Sequence, residues 1–218
     1  MSVEKIAVIS VDIIDSSKFE ESSYLPSMTQ LEDPAQTYLR KAGDMLLMSR
    51  GDSFQVMLND WQNSFLKAIY LKAFFKKQVA SLKSTNRKKN LDVRLSLAVG
   101  WVKQLPEDIG KTMEEPFIIS GRALDKMKSK GQNFIITTNN DNISHELELE
   151  CAFLDDILNG WTAAQAEVIY YLVQGLKQVE IASNLGLTQP SVSNRILLAK
   201  WSLIERMNKR FVELMQSI

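Results

Sequence analysis

The spacing of apolar residues changes character between the two halves of the chain. The first half contains short apolar runs, rich in β-branched residues and too brief for helices, which is typical of strands. Longer segments of helical period separate these runs, whereas every segment after about Leu154 has helical period. We predict strands at residues 6–11, 44–49, 53–58, 91–102 and 133–138.

Two segments of the first half have the period of an amphipathic helix. Residues 60–82 and 119–129 place apolar side chains at steps of three and four. Asp33 and Pro34 have the form of a helix cap and first helical position, which predicts a helix toward Lys41. The remaining polar stretches are predicted to be a loop at residues 17–33 and a basic linker at residues 83–90.

The order of these elements predicts an α+β fold. Strands separated by crossover helices in the order β-α-β-β-α-β-α-β indicate a ferredoxin-like α/β sandwich, with one helical layer on one sheet. We expect this domain to span residues 1–153 and a small all-α domain to span residues 154–218. The boundary is predicted beside a polar break formed by Asp155, Asp156 and Asn159-Gly160.

The second half contains the signals of several short helices. Thr162 followed by Gln165 has capping-box spacing, and Gly175 ends the helix that begins there. A second helix is predicted at residues 178–185, after which Gly186 breaks the chain. Thr188 then caps a third helix that has Pro190 in its first turn. Two short helices about a tight turn predict a helix-turn-helix.

The stretch EIASNLGLTQPSVSNRI resembles the helix-turn-helix of sigma-factor-like and LuxR-like regulators. The resemblance implies that the helix from Gln189 enters the major groove of double-stranded DNA. Residues 177–210 carry six basic and two acidic side chains, which favours contact with phosphates. The alternative is a helical cap or dimerisation bundle that binds no DNA. The DNA-binding residues implied by the resemblance are Gln189, Ser191, Ser193, Asn194, Arg195 and Lys200.

The tail of the chain has an apolar stripe at near-heptad steps. A long helix with such a stripe can pair with a second copy, which would make a homodimer and a two-fold DNA reader. It can equally pack back on its own domain, and the sequence leaves both options open. The stripe consists of Val192, Ile196, Leu203, Met207, Phe211 and Leu214.

Two carboxylates are expected to meet at one end of the sheet. Asp12 ends the first predicted strand, and Asp52 lies at the tip of the hairpin formed by the next two strands. In a ferredoxin-like sheet those strands are neighbours. A pair of carboxylates favours Mg²⁺ or Mn²⁺, which prefer oxygen ligands and accept phosphate oxygens. The turn at residues 13–17 can offer backbone N–H groups to a phosphate.

These segments also resemble known families. VDIIDSS followed by RGDSF resembles the metal-binding pair of class III nucleotide cyclases and, more loosely, of GGDEF diguanylate cyclases. Together DIIDSS, RGDSFQ, VRLSLAVG and ISGRALDKMK resemble the SatD family, small bacterial proteins of cyclase-like fold. The resemblance implies that Asp12 and Asp52 bind Mg²⁺ or Mn²⁺ with a nucleotide. The implied nucleotide or phosphate contacts are Ile13, whose carbonyl is a candidate third metal ligand, Asp15, Ser16, Ser17 and Arg122.

The sequence departs from the cyclase pattern at the groups used for catalysis. Met48 or Ser49 stands where cyclases have the lysine that reads the base. The helix near residues 118–124 offers at most Arg122 in place of an Asn–Arg pair. We therefore assign no catalytic residue. We expect a transcription regulator that senses a metal–nucleotide ligand or a protein partner; the alternative is a nucleotidyl cyclase or related phosphoryl-transfer enzyme with a helical dimerisation tail.

The composition of the chain excludes several classes of protein. The chain has 218 residues and a formal net charge of zero, from 26 basic and 26 acidic side chains, which excludes a protein that coats nucleic acid by bulk electrostatics. Its one cysteine, Cys151, cannot form an internal disulfide. We find no signal-peptide pattern and no apolar run of membrane-spanning length. We therefore expect a cytoplasmic bacterial protein with no membrane partner.

Overall fold

A mixed five-stranded sheet forms the centre of the computed structural model, which describes residues 3–33, 38–49, 51–85 and 87–218. The strand order is β2-β3-β1-β6-β7, and only the last pair is parallel. β4 and β5 form a separate antiparallel pair. The strands are β1 (Glu4–Ile13), β2 (Met45–Ser49), β3 (Ser53–Leu58), β4 (Val79–Ser81), β5 (Lys88–Asn90), β6 (Val93–Val102) and β7 (Phe134–Thr138).

Helices cover both faces of the sheet, so the expected single helical layer is wrong. Along β1, Ala7 and Ile9 belong to the main core together with Phe65 of helix α2 (Ser64–Lys76). Val8 belongs to a second cluster on the opposite face, together with Phe117 of helix α3 (Glu115–Lys130). β1 and β6 are nearly continuous apolar runs because both of their faces are buried.

Helix α4 (Asp141–Asn159) packs against β7, and its Leu147 and Cys151 belong to the main core with Ile136 of that strand. The Ser144 hydroxyl accepts a hydrogen bond from the backbone N–H of Thr138 at 3.0 Å. The Asp155 carboxylate accepts one from the N–H of Asn133 at 2.9 Å, just before the strand. Asp155 is buried within a continuous helix, so the part of the expected polar break at Asp155 and Asp156 is wrong. The part at Asn159-Gly160 is where α4 ends. The expected domain boundary between residues 153 and 154 falls inside α4.

The predictions for residues 17–41 are also wrong where the structure describes them. The expected loop contains helix α1 (Glu21–Glu32), whose Tyr24, Met28 and Leu31 are buried at steps of three and four. The helix expected from Asp33 and Pro34 lies partly outside the described residues, and residues 38–41 are not helical. The expected linker at 83–90 includes β5.

Four helices complete the chain. They are α5 (Ala163–Val173), α6 (Gln178–Leu185), α7 (Gln189–Leu198) and α8 (Trp201–Gln216). The predicted capping box of Thr162 and Gln165 is present, and Gly186 adopts a left-handed φ of 62° between α6 and α7. The Thr188 hydroxyl accepts from the N–H of Ser191, which confirms the predicted cap of α7. Lys200, with φ 59°, separates α7 from α8 and divides the expected long tail helix in two.

The C-terminal helices pack on the sheet-bearing part of the chain. Phe211 of α8 lies 5.6 Å from Phe65 of α2, measured between ring centroids. The Trp161 indole N–H donates to the Ala199 carbonyl at 3.0 Å, which joins the start of α5 to the end of α7. A smaller cluster around Val192 holds α5, α6 and α7 together. The division into two domains stays a prediction, and none of the described helices is long and apolar enough to cross a membrane.

Candidate functional site

Asp12 lies near the end of β1, between the two neighbouring strands. It stands opposite Ser53 of β3 on one side and Arg94 of β6 on the other. The Asp12 carboxylate forms an ion pair with the Arg94 guanidinium at 3.2 Å, and 31% of its side chain is exposed. Asp12 is therefore accessible from solvent and already has a cationic neighbour.

Asp52 lies in the turn between β2 and β3, at the same end of the sheet. Gly51 before it has a φ of 75°, a conformation that favours glycine and lets the hairpin turn tightly. The backbone carbonyl of Asp52 accepts from the N–H of Ile13 at 2.9 Å, which extends the β1–β3 pairing by one residue. The Asp52 carboxylate accepts from the Ser16 hydroxyl at 2.6 Å. Arg50 of the motif lies outside the described residues.

The two carboxylates interact electrostatically. Burial raises the pKa of Asp12 above its usual value, and the negative charge of Asp52 raises it further. Arg94 and, more weakly, Lys128 act in the opposite direction without cancelling the rise. The Asp12 carboxylate is therefore partly withdrawn from water and close enough to Asp52 to be affected by its charge, and a divalent cation bound there would offset both effects.

The turn after Asp12 is organised by its own side chains. Asp15 has a left-handed φ of 59°, and its carboxylate pairs with Lys18 at 3.0 Å. The hydrogen bond to Lys18 lowers the pKa of Asp15 against the opposing effect of burial. Ser16 is held by Asp52, whereas Ser17 is exposed. Ile13 and Ser16 are therefore bonded to Asp52, whereas the Asp15 carboxylate is paired with Lys18.

The donor set fits Mg²⁺ or Mn²⁺ better than a metal that needs a full protein cage. Among the described residues no group of three His, Cys, Asp or Glu side chains could hold an ion. Asp12 and Asp52 supply two carboxylates, and Mg²⁺ commonly completes such a set with waters and phosphate oxygens. These two residues would hold the cation, which would supply positive charge for binding phosphate.

Two residues considered on α3 have different surroundings. The Ser120 hydroxyl is buried, donates to the Ser96 carbonyl at 3.0 Å and lies within hydrogen-bond distance of the Ser10 hydroxyl at 2.8 Å, so it serves the helix–sheet contact. Arg122 is exposed and lines a groove of about 470 Å³ between α3, β7 and α4. Neither Asp12 nor Asp52 lines that groove. Arg122 is thus not brought together with the carboxylates.

The sequence reasoning missed Arg94 and Lys128, the two cations whose charges act on Asp12. The sequence did contain a signal that could have identified Arg94. It is the one charged residue of β6, a strand otherwise made of apolar and small residues, and it stands at the end that pairs with Asp12. Lys128 had no comparable signal because it is one of several lysines on the exposed side of α3.

The residues expected to contact DNA lie on or beside α7 and differ in exposure. Gln189, Ser193 and Asn194 are exposed, as is Lys200 at the junction with α8. Ser191 is half-buried in the first turn.

Two of these side chains already have partners within the protein. The Gln189 amide donates to the Gln178 side chain of α6 at 2.6 Å. The half-buried Arg195 approaches the Ala164 carbonyl at 3.5 Å, which turns its guanidinium toward α5. Of the residues expected to contact DNA, Ser193 and Asn194 on α7 and Lys200 after it are exposed, and Leu197 and Leu198 at the end of α7 share this outward surface.

Comparison with known proteins gives similarity to solved structures but not to known sequences. No family model and no curated protein sequence matches this chain. One similar solved structure is the active GGEEF domain of a diguanylate cyclase from Vibrio cholerae, at 17% identity and a TM-score of 0.43. The match covers 63% of this chain and 85% of that one. At this TM-score the similarity assigns no function, and the resemblance to the SatD family stays a prediction.

Proposed function

We propose that the end of the sheet carrying Asp12 and Asp52 binds a divalent cation together with the phosphates of a nucleotide. The observation that supports this proposal is the position of the two carboxylates at one end of the sheet, where the Ile13 N–H after Asp12 donates to the Asp52 carbonyl at 2.9 Å and Ser16 donates to the Asp52 carboxylate at 2.6 Å. Mg²⁺ or Mn²⁺ bridges such carboxylates to phosphate oxygens. Ser17 and the backbone N–H groups of the turn follow Asp12 directly in the sequence, and we expect them to contact the phosphates.

Thermal unfolding with Mn²⁺ and each of the four nucleoside triphosphates tests this site. A ligand at 100 times its dissociation constant stabilises the folded state by about 2.7 kcal/mol, or roughly 5–11 °C for a chain of this size. Asp52→Asn keeps an acceptor for Ser16 but removes the charge, and it should abolish the shift. The matched control is Asp156→Asn, an exposed acid on α4 that should leave the shift unchanged. If wild type and Asp52→Asn respond alike, the site is not there.

We further propose that the chain binds double-stranded DNA through α7 and that the bound nucleotide regulates this binding. Support comes from the contrast between the two sides of α7. Val192 is fully buried against α5 and α6, whereas Ser193 and Asn194 next to it are exposed. A short helix held on two others, with exposed polar side chains in its first two turns and Gly186 in the preceding turn, has the form of a recognition helix, although Leu197 and Leu198 at its end are also exposed.

Selection of bound fragments from a random DNA pool, with and without Mn²⁺ and nucleotide, tests DNA binding. Asn194→Ala should then weaken binding to the selected site about tenfold, since a bidentate base contact contributes roughly 1–3 kcal/mol. Asn142→Ala, an exposed asparagine at the start of α4, is the matched control. Lys200→Gln should lower the salt dependence by about one phosphate contact, and Lys209→Gln should not. Failure to enrich any sequence would exclude a sequence-specific reader.

A nucleotidyl cyclase is the second candidate. It is favoured by the Asp12–Asp52 pair with Arg94 beside it, because a cation and a guanidinium can both stabilise charge on a transferred phosphoryl group. Against it, Arg94 is already paired with Asp12, and Ser120 is buried in the sheet contact. Cyclisation releases pyrophosphate. Pyrophosphate formed with Mn²⁺ and one nucleoside triphosphate, and lost in Asp12→Asn, would establish the enzyme over the regulator that only binds nucleotide.

A further inference from the structure

A groove between α4 and α8 leaves large apolar side chains in contact with solvent. Its volume is about 550 Å³. Phe153 on α4 is 67% exposed and Leu203 on α8 is 44% exposed, although both line the groove. Leu149, one turn before Phe153, is 64% exposed. Single exposed apolar residues are ordinary, but a contiguous group on two adjacent helices marks an interaction surface.

Helix α8 is firmly packed on the chain, so loose attachment does not explain why Leu203 is exposed. Phe211, Leu214 and Met215 on the same helix are buried in the main core. The residues of the apolar stripe predicted along the tail therefore lie in two different environments, the core and the groove. Its last two residues pack back on the chain, whereas Leu203 and the half-buried Met207 line the groove.

The two walls of the groove carry opposite charges. Glu150 lines the α4 wall, with Glu146 one turn before it, and Arg206 and Arg210 line the α8 wall. Glu146 and Arg210 form an ion pair at 2.6 Å. One carboxylate oxygen of Glu150 is buried without a hydrogen-bond partner among the described residues, and burial raises the pKa of this group. Arg206 is exposed and forms none of the ion pairs found in the described part of the chain.

We propose that this groove binds a second copy of the chain across a two-fold axis, with α4 of each copy against α8 of the other. In a two-fold interface the same patch is used by both subunits, so it must complement itself. An acidic wall beside a basic wall meets that requirement, because each Glu150 then faces the partner's Arg206. Phe153 and Leu203 supply the apolar centre that such an interface needs. The proposal does not depend on DNA or nucleotide binding.

Sedimentation of the full chain over a range of concentrations tests the surface. Wild type should form a dimer, and Phe153→Asp should raise the dimer dissociation constant at least about tenfold. Met113→Asp is the matched control, since Met113 is 81% exposed in the segment before α3. A wild type that stays monomeric at about 100 µM would overturn the proposal and leave the groove for a different protein partner. A Phe153→Asp variant that dimerises like wild type would place the interface elsewhere.

Charge reversal tests the two-fold arrangement and separates contacts between chains from contacts within one chain. Glu150→Arg alone places two arginines face to face, and Arg206→Glu alone places two glutamates face to face. Mixing the two variants restores both opposite-charge contacts only across the interface. The mixture should therefore form heterodimers at least about tenfold more tightly than either variant forms homodimers. No preference for the heterodimer, with both variants folded by circular dichroism, would refute the proposed arrangement.

Discussion

Replacing Trp161 by phenylalanine should destabilise the whole chain because this side chain joins the α4–α5 junction to the end of α7. Trp161 is 5% exposed, and its indole N–H donates to the Ala199 carbonyl at 3.0 Å. Phenylalanine keeps an aromatic ring in the core but has no donor. Ala199 is fully buried, so water cannot readily replace the lost partner of its carbonyl.

The size of the effect follows from two contributions. Leaving a buried acceptor without a partner costs about 1–3 kcal/mol. The smaller ring adds about 1 kcal/mol through lost contacts and an imperfectly filled space. We expect a loss of about 3 kcal/mol, which for a chain of this size lowers the melting temperature by roughly 6–12 °C.

Urea unfolding followed by far-UV circular dichroism measures this loss. The matched control is Trp101→Phe, because Trp101 is 42% exposed and should change the free energy of unfolding by less than about 0.5 kcal/mol. Since α5 and α8 share the main core with α2, we expect a single transition in both proteins. A separate early transition of the C-terminal helices, or a loss below about 0.5 kcal/mol in Trp161→Phe, would refute this reasoning.

Three further predictions concern buried polar groups. Lys72→Met should cost about 2–4 kcal/mol in urea unfolding, because fully buried Lys72 pairs with Asp92 at 2.6 Å; exposed Lys130→Met is the control. Burial opposes ionisation of Asp92, but the charges of Lys72 and Lys76 outweigh it and lower the pKa of this carboxyl. The ionised form of Asp92 therefore stabilises the fold above about pH 4. Asp92→Asn should lower the free energy of unfolding at pH 7, and this loss should shrink as the pH falls below about 4. A loss that is the same at every pH would contradict this. Burial raises the pKa of the Cys151 thiol to about 12, so a thiol reagent at pH 8 should label it only as fast as the protein unfolds.

The C-terminal helices followed from the sequence because their boundaries are set locally. Thr162 needs only the N–H of Gln165, three residues away, to cap its helix. Gly186 ends α6 because glycine adopts a left-handed φ without steric cost. Such signals lie within one turn of the residue that carries them and can be read without knowing the tertiary contacts.

The errors in the first half arose where distant contacts decide the structure. The segment of α1 is polar and contains Pro26, so its composition suggested a loop, yet the buried side chains of Tyr24, Met28 and Leu31 hold it against the core. Asp155 looked like part of a break between domains, but its carboxylate is used by the N–H of Asn133, 22 residues earlier in the chain. The single-layer expectation failed because continuous apolar strands can be covered on both faces.

The candidate site was predictable in part. Strand order alone brought Asp12 and Asp52 to one end of the sheet, since a hairpin tip and the end of its neighbouring strand meet there. The pairing of Asp12 with Arg94 depends on the register between β1 and β6, two strands separated by about eighty residues, and no local pattern fixes that register. The family resemblance placed Arg122 near Asp12 and Asp52, but in the structure Arg122 lines the groove between α3, β7 and α4.

The proposed regulation would act through a series of hydrogen bonds between the turn after Asp12 and the end of α7. The N–H of Ile14, two residues after Asp12, donates to the carbonyl of Asp92 at 2.9 Å. Lys76 joins the Asp92 carboxylate to the Asn159 carbonyl, both at 2.9 Å, at the end of α4. Trp161 follows two residues later and bonds to the end of α7. Under the proposed function, a ligand that shifts the turn after Asp12 would act on groups connected to α7 by these partly buried hydrogen bonds. Its effect on DNA affinity would be limited to its difference in affinity for the two arrangements.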